Sequence, residues 1–357
     1  SRAALAAYPE YSCTGQLNPV PGLWGVFDDI YCSKPESIQF MKNILSEVLE
    51  LFPSKYIHIG GDEAPKTRWK ECDKCQKVIQ ENELSDEHEL QSYFIREIDA
   101  FLSSKGRKLI GWDEILEGGL SPNAAVMSWR GEAGGVEAAM QGHKVVMSPT
   151  TYCYFDYYQS SNGNEPLAIG GFLPLEKVYK YNPIPGELSD SEAENILGGQ
   201  ANLWTEYITT MDELEYMTYP RALALIQSLW CTVKPSYSSF LNTYLTYQEP
   251  YLNTHSVNYS NSIHYPDLKI ERAKNGINVR FNSIDENSSY NVFTTVTSKS
   301  KFKNALVMGN TDSLFLERTS SGISKTMNCK VSSNENEGTA NYNFNFSSSL
   351  GLPVEMV

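Results

Sequence analysis

Apolar positions over residues 1–250 fall into two alternating patterns. Ile38, Met41, Ile44, Leu45, Val48 and Leu49 recur at helical spacing behind Ser33-Lys34-Pro35-Glu36, which reads as a capping box with proline in the first turn. Asp86 with Glu89 repeats the capping signal ahead of Leu90, Phe94, Ile95, Ile98 and Phe101. A third helical region starts at Glu213 and carries Tyr216, Ala222, Leu223, Ile226 and Leu229, with Pro220 expected to kink or restart it. Short apolar runs lie near 56–60, 108–112, 125–129, 144–148 and 196–204. Short strands with helices between most of them predict the β/α units of an α/β barrel. Five such strands are too few to close an eight-stranded (β/α)8 TIM barrel.

After about residue 250 the helical period stops and alternation begins. Leu268 and Ile270 alternate before Asn275-Gly276, a strong hairpin-turn signal, and Ile277, Val279 and Phe281 alternate after it. Tyr290 to Val296, Leu306 to Met308, Leu314 to Leu316 and Tyr342-Phe344-Phe346 continue the pattern, separated by Asn, Ser and Gly. The expected organisation is therefore α/β over residues 1–250 and a small antiparallel, sandwich-like all-β domain over residues 251–357. That domain's aromatics alternate as core residues do, which favours a structural module over a ligand-binding one. It ends on the apolar segment Leu350 to Val357 with no polar tail, which leaves its truncation open.

Composition narrows the partners. The net charge is −14, from 43 acidic against 29 basic residues, which disfavours nucleic acid and anionic membrane surfaces. No apolar stretch is long enough to span a bilayer. The seven cysteines do not suggest a disulfide framework in a chain of this length. Cys72-Asp73-Lys74-Cys75 is the single close pair, and Cys13, Cys32, Cys153, Cys231 and Cys329 are scattered. A local disulfide or free thiols therefore rank above a four-ligand zinc set, and neither metal nor cofactor is expected.

Candidate chemistry concentrates at the ends of the strand-like runs. Tyr56-Ile57-His58-Ile59 leads through Gly60-Gly61 into Asp62-Glu63. Neighbouring side chains on a strand point to opposite faces, so both carboxylates can serve one pocket only where the backbone leaves strand geometry, which paired glycines permit. Two close carboxyls repel, and one tends to stay protonated while the other stays ionised. Three further runs end on Trp112, Trp129 and Trp204, each followed closely by charged residues. Singly, each tryptophan reads as core. Repeated at strand ends, they suit the apolar C–H faces of a pyranose ring. His58 reads as a strand residue facing the barrel wall and His88 as solvated, so a metal-dependent hydrolase built on His58, Asp62 and Glu63 lacks a supporting ligand pattern.

The motifs Gly60-Gly61-Asp62-Glu63, Gly111-Trp112-Asp113-Glu114, Ser128-Trp129-Arg130-Gly131, Tyr154-Phe155-Asp156 and Leu203-Trp204-Thr205-Glu206 together resemble the family 20 glycoside hydrolases, the β-N-acetylhexosaminidases. The resemblance covers roughly residues 1–250 in order and spacing. It implies a (β/α)8 barrel, a retaining exo-hydrolase acting on terminal N-acetylglucosamine or N-acetylgalactosamine, and no cofactor. By the same resemblance Glu63 is the general acid/base, Asp62 orients the substrate's acetamido group, and Tyr154 holds the acetamido oxygen. Trp112, Trp129 and Trp204 wall the sugar, and Asp156 and Glu206 meet its outer hydroxyls. In this family the 2-acetamido oxygen, rather than a protein carboxylate, attacks the anomeric carbon, an exception to the usual pair of carboxylates.

The resemblance further implies that the chain is the C-terminal part of a longer enzyme. It opens Ser1-Arg2-Ala3-Ala4-Leu5-Ala6-Ala7-Tyr8-Pro9-Glu10, where the family has already passed its third barrel strand. The expected partners are N-acetylhexosamine-terminated glycans or chitooligosaccharides, and the expected location is secreted or periplasmic. A non-catalytic carbohydrate-binding remnant is the competing reading, which the intact Asp62, Glu63 and Tyr154 disfavour.

Overall fold

Strands covered on both faces read as continuous apolar runs, and the runs above form a parallel sheet of that kind. In the computed structural model β1 (Tyr56–His58), β2 (Lys108–Trp112), β3 (Ala125–Ser128), β4 (Val145–Met147) and β5 (Ile196–Gly199) pair in chain order, all parallel. The structure describes residues 2–160 and 165–264, and beyond these only the backbone of strands between Leu268 and Glu355. Contacts divide the chain into two units, Ser1–Cys153 with Asn182–Gln200, and Tyr154–Tyr181 with Ala201–Val357.

In the first unit, register sorts side chains by face. Ile110, Trp112, Ala125 and Met127 pack together with Tyr56, Trp129 and Val146 on one face. Toward the other face, helix Glu87–Ser104 packs on β2, and helix Ala133–Met140 packs on β3 and β4. Asp86 caps the first of these helices by accepting from the backbone N–H groups of His88 and Glu89, as expected. Helix Pro35–Leu51 departs from expectation: its N-cap is Lys34, which makes no side-chain cap bond. Pro35 brings a fixed φ and no N–H to the first turn, so the box is unnecessary. Ser33 is instead fully buried, with its backbone N–H turned toward Cys75.

The expectation of scattered cysteines is corrected here. The sulfurs of Cys13, Cys32, Cys72 and Cys75 all lie within 4.8 Å of one another. Positions distant in sequence meet because Ser12 and Tyr31 form an antiparallel bridge, and Cys13 and Cys32, diagonal to each other across it, lie on the same face. Helices Thr67–Glu71 and Asp73–Glu81 then present Cys72 and Cys75 to them. None of the cysteines among the described residues is in a disulfide.

In the second unit, Pro220 separates helix Met211–Thr218 from Arg221–Trp230, the restart the sequence predicts. Helix Leu175–Lys180 packs against Arg221–Trp230. Further along, Leu268–Ala273 pairs antiparallel with Gly276–Phe281, and Tyr290–Thr297 with Asn341–Ser348, as alternation predicts. The turn at Asn275 and the expected sandwich packing lie outside the described residues. Among those residues, no helix is long and apolar enough to cross a membrane.

Among the described residues, Arg221 is one of the largest fully buried side chains. Its guanidinium donates to the carbonyls of Tyr157 at 2.9 Å, Leu173 at 3.2 Å and Met217 at 2.8 Å, and also to Phe155. A cation can be buried when enough acceptors replace its water. Here the replacement also fixes the backbone on both sides of Asp156. Arg221→Met should leave these buried carbonyls unpaired and destabilise the second unit by at least about 3 kcal/mol, since each orphaned buried group costs about 1–3 kcal/mol. Thermal denaturation followed by circular dichroism checks this, and an unchanged melting temperature would contradict it.

Candidate active site

The chain leaves β1 through a left-handed stretch. Gly60 has φ 73°, Gly61 φ 93° and Glu63 φ 47°. A side chain on Gly61 would also bring its Cβ to 2.5 Å from Ile115 Cγ2, so that position needs glycine twice over. A positive φ at Glu63 is uncommon for a non-glycine residue. Such strain persists only where surroundings hold it. The hold is visible: Gln91, buried on helix Glu87–Ser104, donates to the Gly61 carbonyl at 2.9 Å. Lys66 donates both to Gln91 and to the Ala64 carbonyl. The departure from strand geometry that an adjacent carboxylate pair requires is thus present.

Electrostatics follow from that placement. Glu63 keeps an edge open to solvent, yet partial burial, with the Asp62 carboxylate second, pushes its pKa above the ordinary glutamate range. A cavity of 490 Å³ opens beside the pair, with His58, Asp62, Glu63 and Gln91 in its lining. His58 stands edge-on to Trp112, ring centroids 4.8 Å apart, and its Nδ1 accepts from the Gly60 N–H at 3.1 Å. Partial desolvation beside Trp112, against the opposing pull of Asp62, holds its imidazole below the ordinary histidine range even though much of the ring stays exposed. A neutral ring with Nδ1 as acceptor fits both facts.

Trp112 ends β2 and Trp129 directly follows β3, with their rings edge-to-face at 6.5 Å. Both therefore stand at the carboxyl ends of adjacent parallel strands, as Asp62 and Glu63 do. Trp129 is held from two sides. Its indole N–H donates to Glu114 at 2.8 Å, and its backbone N–H donates to Asp113 at 2.9 Å. Asp113 is 2% exposed and also receives the Arg130 backbone N–H and guanidinium. Glu114 is pushed above the ordinary glutamate range by burial, with the Trp129 bond opposing.

The remaining predicted residues belong to the second unit. Tyr154 forms a parallel bridge with Asn202, and Phe155 N–H donates to the Asn202 carbonyl at 2.8 Å. Burial raises the Tyr154 hydroxyl well above the ordinary phenol range, while hydrogen bonds from Trp204 and Asn202 to its oxygen oppose the shift. The phenol thus stays protonated and keeps a hydrogen to donate. Trp204 exposes 43% of its surface, a large apolar face open to solvent. Asp156 is 3% exposed, and its Oδ1 has no hydrogen-bond partner. Burial, together with the Glu206 charge, raises Asp156 to about 6. A buried carboxylate oxygen without a donor is rare in folded proteins, and it marks Asp156 as a group whose burial is not offset locally.

The structure therefore brings Asp62, Glu63, Trp112 and Trp129 together in one unit and places Tyr154, Asp156, Trp204 and Glu206 in the other. Sequence reasoning assigned no role to Asp113, Glu114 and Arg130, although they lie within the motifs. It gave no signal for Gln91, Asn202 or Arg221, whose partners are remote in the chain.

Comparison with known proteins bears on the family and the fold. The family model described as "Glycosyl hydrolase family 20, catalytic domain" matches residues 1–233. A β-hexosaminidase of Porphyromonas gingivalis is 48% identical over 260 residues, which are 72% of this chain and 33% of that protein. The chain thus spans about a third of that relative's length. Among solved structures, an exo-β-N-acetylglucosaminidase from Vibrio harveyi in complex with N-acetylglucosamine superposes with TM-score 0.60 at 32% identity, covering 65% of this chain and 37% of that one. A β-N-acetylhexosaminidase from Bacteroides fragilis gives TM-score 0.62 at 27% identity, covering 72% of this chain and 52% of that one. The five β/α strands are thus part of a TIM-barrel catalytic domain, and the chain belongs to glycosyl hydrolase family 20.

Proposed function

We propose that the enzyme carrying this chain is a retaining exo-β-N-acetylhexosaminidase. It would remove terminal β-linked N-acetylglucosamine or N-acetylgalactosamine from glycans or chitooligosaccharides with the help of the substrate's own acetamido group. The observation that carries this reading is the Asp62-Glu63 pair on its left-handed loop, with the Glu63 pKa raised. Glu63 is the proton donor to the leaving oxygen, since a raised pKa keeps a proton available nearer neutrality. Asp62 accepts the amide N–H and Tyr154 donates to the amide oxygen, which attacks the anomeric carbon. Trp112, Trp129 and Trp204 pack on the sugar, while Asp156 and Glu206 accept its outer hydroxyls. Water then attacks with Glu63 as base, and the configuration is retained. We assign residues 1–250 to the catalytic domain and 251–357 to an attached β domain, and place the enzyme in the periplasm or outside the cell.

Glu63→Gln should slow substrates with poor leaving groups by about 10²–10⁴-fold, with much smaller losses for activated aryl glycosides that depart unprotonated. Steady-state kinetics on both classes test the role, and equal losses would remove Glu63 from it. Matched aryl glycosides carrying 2-acetamido or 2-hydroxyl groups test substrate assistance. The hydroxyl analogue should be nearly inert, because internal positioning supplies several kcal/mol. Comparable turnover would mean that a protein carboxylate attacks instead, and binding without turnover of either would favour a carbohydrate-binding remnant.

Asp156 gives a pH signature. A sugar hydroxyl donating to the Asp156 carboxylate favours its ionised form, so affinity should rise with pH up to about 6 and level off above it. Asp156→Asn should weaken binding and flatten that slope. Calorimetric titration with N-acetylglucosamine between pH 4 and 8 measures both.

A further inference from the structure

The four gathered cysteines are unused by the chemistry above, and their arrangement has its own logic. Cys32, Cys72 and Cys75 are buried and Cys13 is partly so, inside a cluster with Ile30, Trp69, Val78 and Leu90. The sulfur separations are 3.7 Å for Cys13 and Cys75, 3.5 Å for Cys32 and Cys75, and 3.9 Å for Cys32 and Cys72. Four sulfurs bound to zinc at about 2.3 Å in a tetrahedron stand about 3.8 Å apart along each edge. A disulfide instead requires about 2.05 Å. Simple core packing explains one pair of thiols in contact but gives no reason for four sulfurs to converge on one point.

The local backbone suits thiolates as well. Cys72 and Cys75 form a Cys-x-x-Cys turn at the start of helix Asp73–Glu81. Cys13 and Cys32 flank the antiparallel Ser12–Tyr31 bridge, which the Cys32 N–H bond to the Tyr11 carbonyl at 2.8 Å reinforces. The Lys34 and Ser33 backbone N–H groups are directed at Cys32 and Cys75. Such outer donors are the usual support of metal-bound ligands. A soft, all-sulfur tetrahedral set selects zinc over calcium or magnesium.

We propose that Cys13, Cys32, Cys72 and Cys75 form a structural zinc site. The ion ties the N-terminal segment to the chain that follows Asp62 and Glu63. Ala64, next to Glu63, packs on the same cluster, and Trp69 donates from its indole to the Tyr31 carbonyl at 2.8 Å. All ligand positions are filled by protein, so the site takes no part in the chemical step.

The test begins with the purified, unaltered chain expressed with zinc present. Elemental analysis should find about one zinc per chain, and X-ray absorption should show four sulfurs at about 2.3 Å. Replacement by cobalt should give the intense red-region bands of a tetrahedral site together with sulfur-to-cobalt charge transfer. Cys72→Ser with Cys75→Ser should lose the metal, and a strong zinc chelator should lower the melting temperature of the unaltered chain but not of this variant. If the variant fails to fold, the absorption spectra of the unaltered chain still decide. Less than about a tenth of an equivalent of zinc after zinc-replete expression, a disulfide between any of the four cysteines in the mass spectrum, or iron in place of zinc would each overturn the proposal.

Discussion

Two neighbouring carboxylates at the end of a strand pose a geometric conflict, and the structure around β1 is organised by its resolution. A regular strand would send Asp62 and Glu63 to opposite faces. Gly60 and Gly61 turn the chain into the left-handed region, and Glu63 is carried into it as well. A strained glutamate would relax if its loop were free. Gln91 fastens the loop to helix Glu87–Ser104 from below, and Lys66 fastens it to its own continuation. Ala64, next to Glu63, packs on the cysteine cluster. Strain at Glu63 is thus tolerated because several independent attachments over-determine the backbone.

Another solution to a positioning problem recurs in each unit: a buried charged group holds backbone so that a neighbouring side chain is aimed. In the first unit Asp113 takes backbone N–H groups from Trp129 and Arg130, while Glu114 takes the Trp129 indole. In the second, Arg221 donates to the carbonyls of Phe155 and Tyr157, the two neighbours of Asp156. One anchor is an anion gripping donors and the other a cation gripping acceptors. Either way the buried charge is compensated by backbone dipoles, and the residue beside the grip loses freedom it would have on a loop.

How far the sequence could be read depended on the range of the interaction. The strands near 56–60, 108–112 and 125–129 were legible because apolar runs are local, and β1 to β3 stand where those runs lie. The departure from strand geometry at Gly60-Gly61 was legible for the same reason, although its left-handed φ values were not. Asp113 and Glu114 were visible as letters but not as anchors, since their partners, Trp129 and Arg130, lie just past the end of the next strand. Arg221 and Gln91 act on residues far away in the chain, and no periodicity announces that. The cysteines show the limit best. Cys72 and Cys75 form a recognisable half-site, but Cys13 and Cys32 join it only through a bridge between Ser12 and Tyr31 that sequence spacing does not encode. Ser33 misled for a related reason: it fits a capping pattern, yet tertiary packing draws it inward and Pro35 makes the cap dispensable.

The acidic groups divide along a line set by burial and neighbours. Glu63 and Asp156 are both raised chiefly by burial, with a nearby carboxylate adding to the shift in each and a backbone hydrogen bond opposing it at Asp156. Glu63 keeps an open edge from which a proton can be passed outward. Asp156 is enclosed, with an unpartnered oxygen that suits holding rather than transferring. The same two physical causes therefore support different tasks, and what separates them is access. A proton donor must be reached by the atom it protonates, whereas an acceptor for a bound hydroxyl gains strength from being shut away from water. In the proposed mechanism, the left-handed turn that exposes Glu63 and the arginine grip on the backbone beside Asp156 matter as much as the carboxylates themselves.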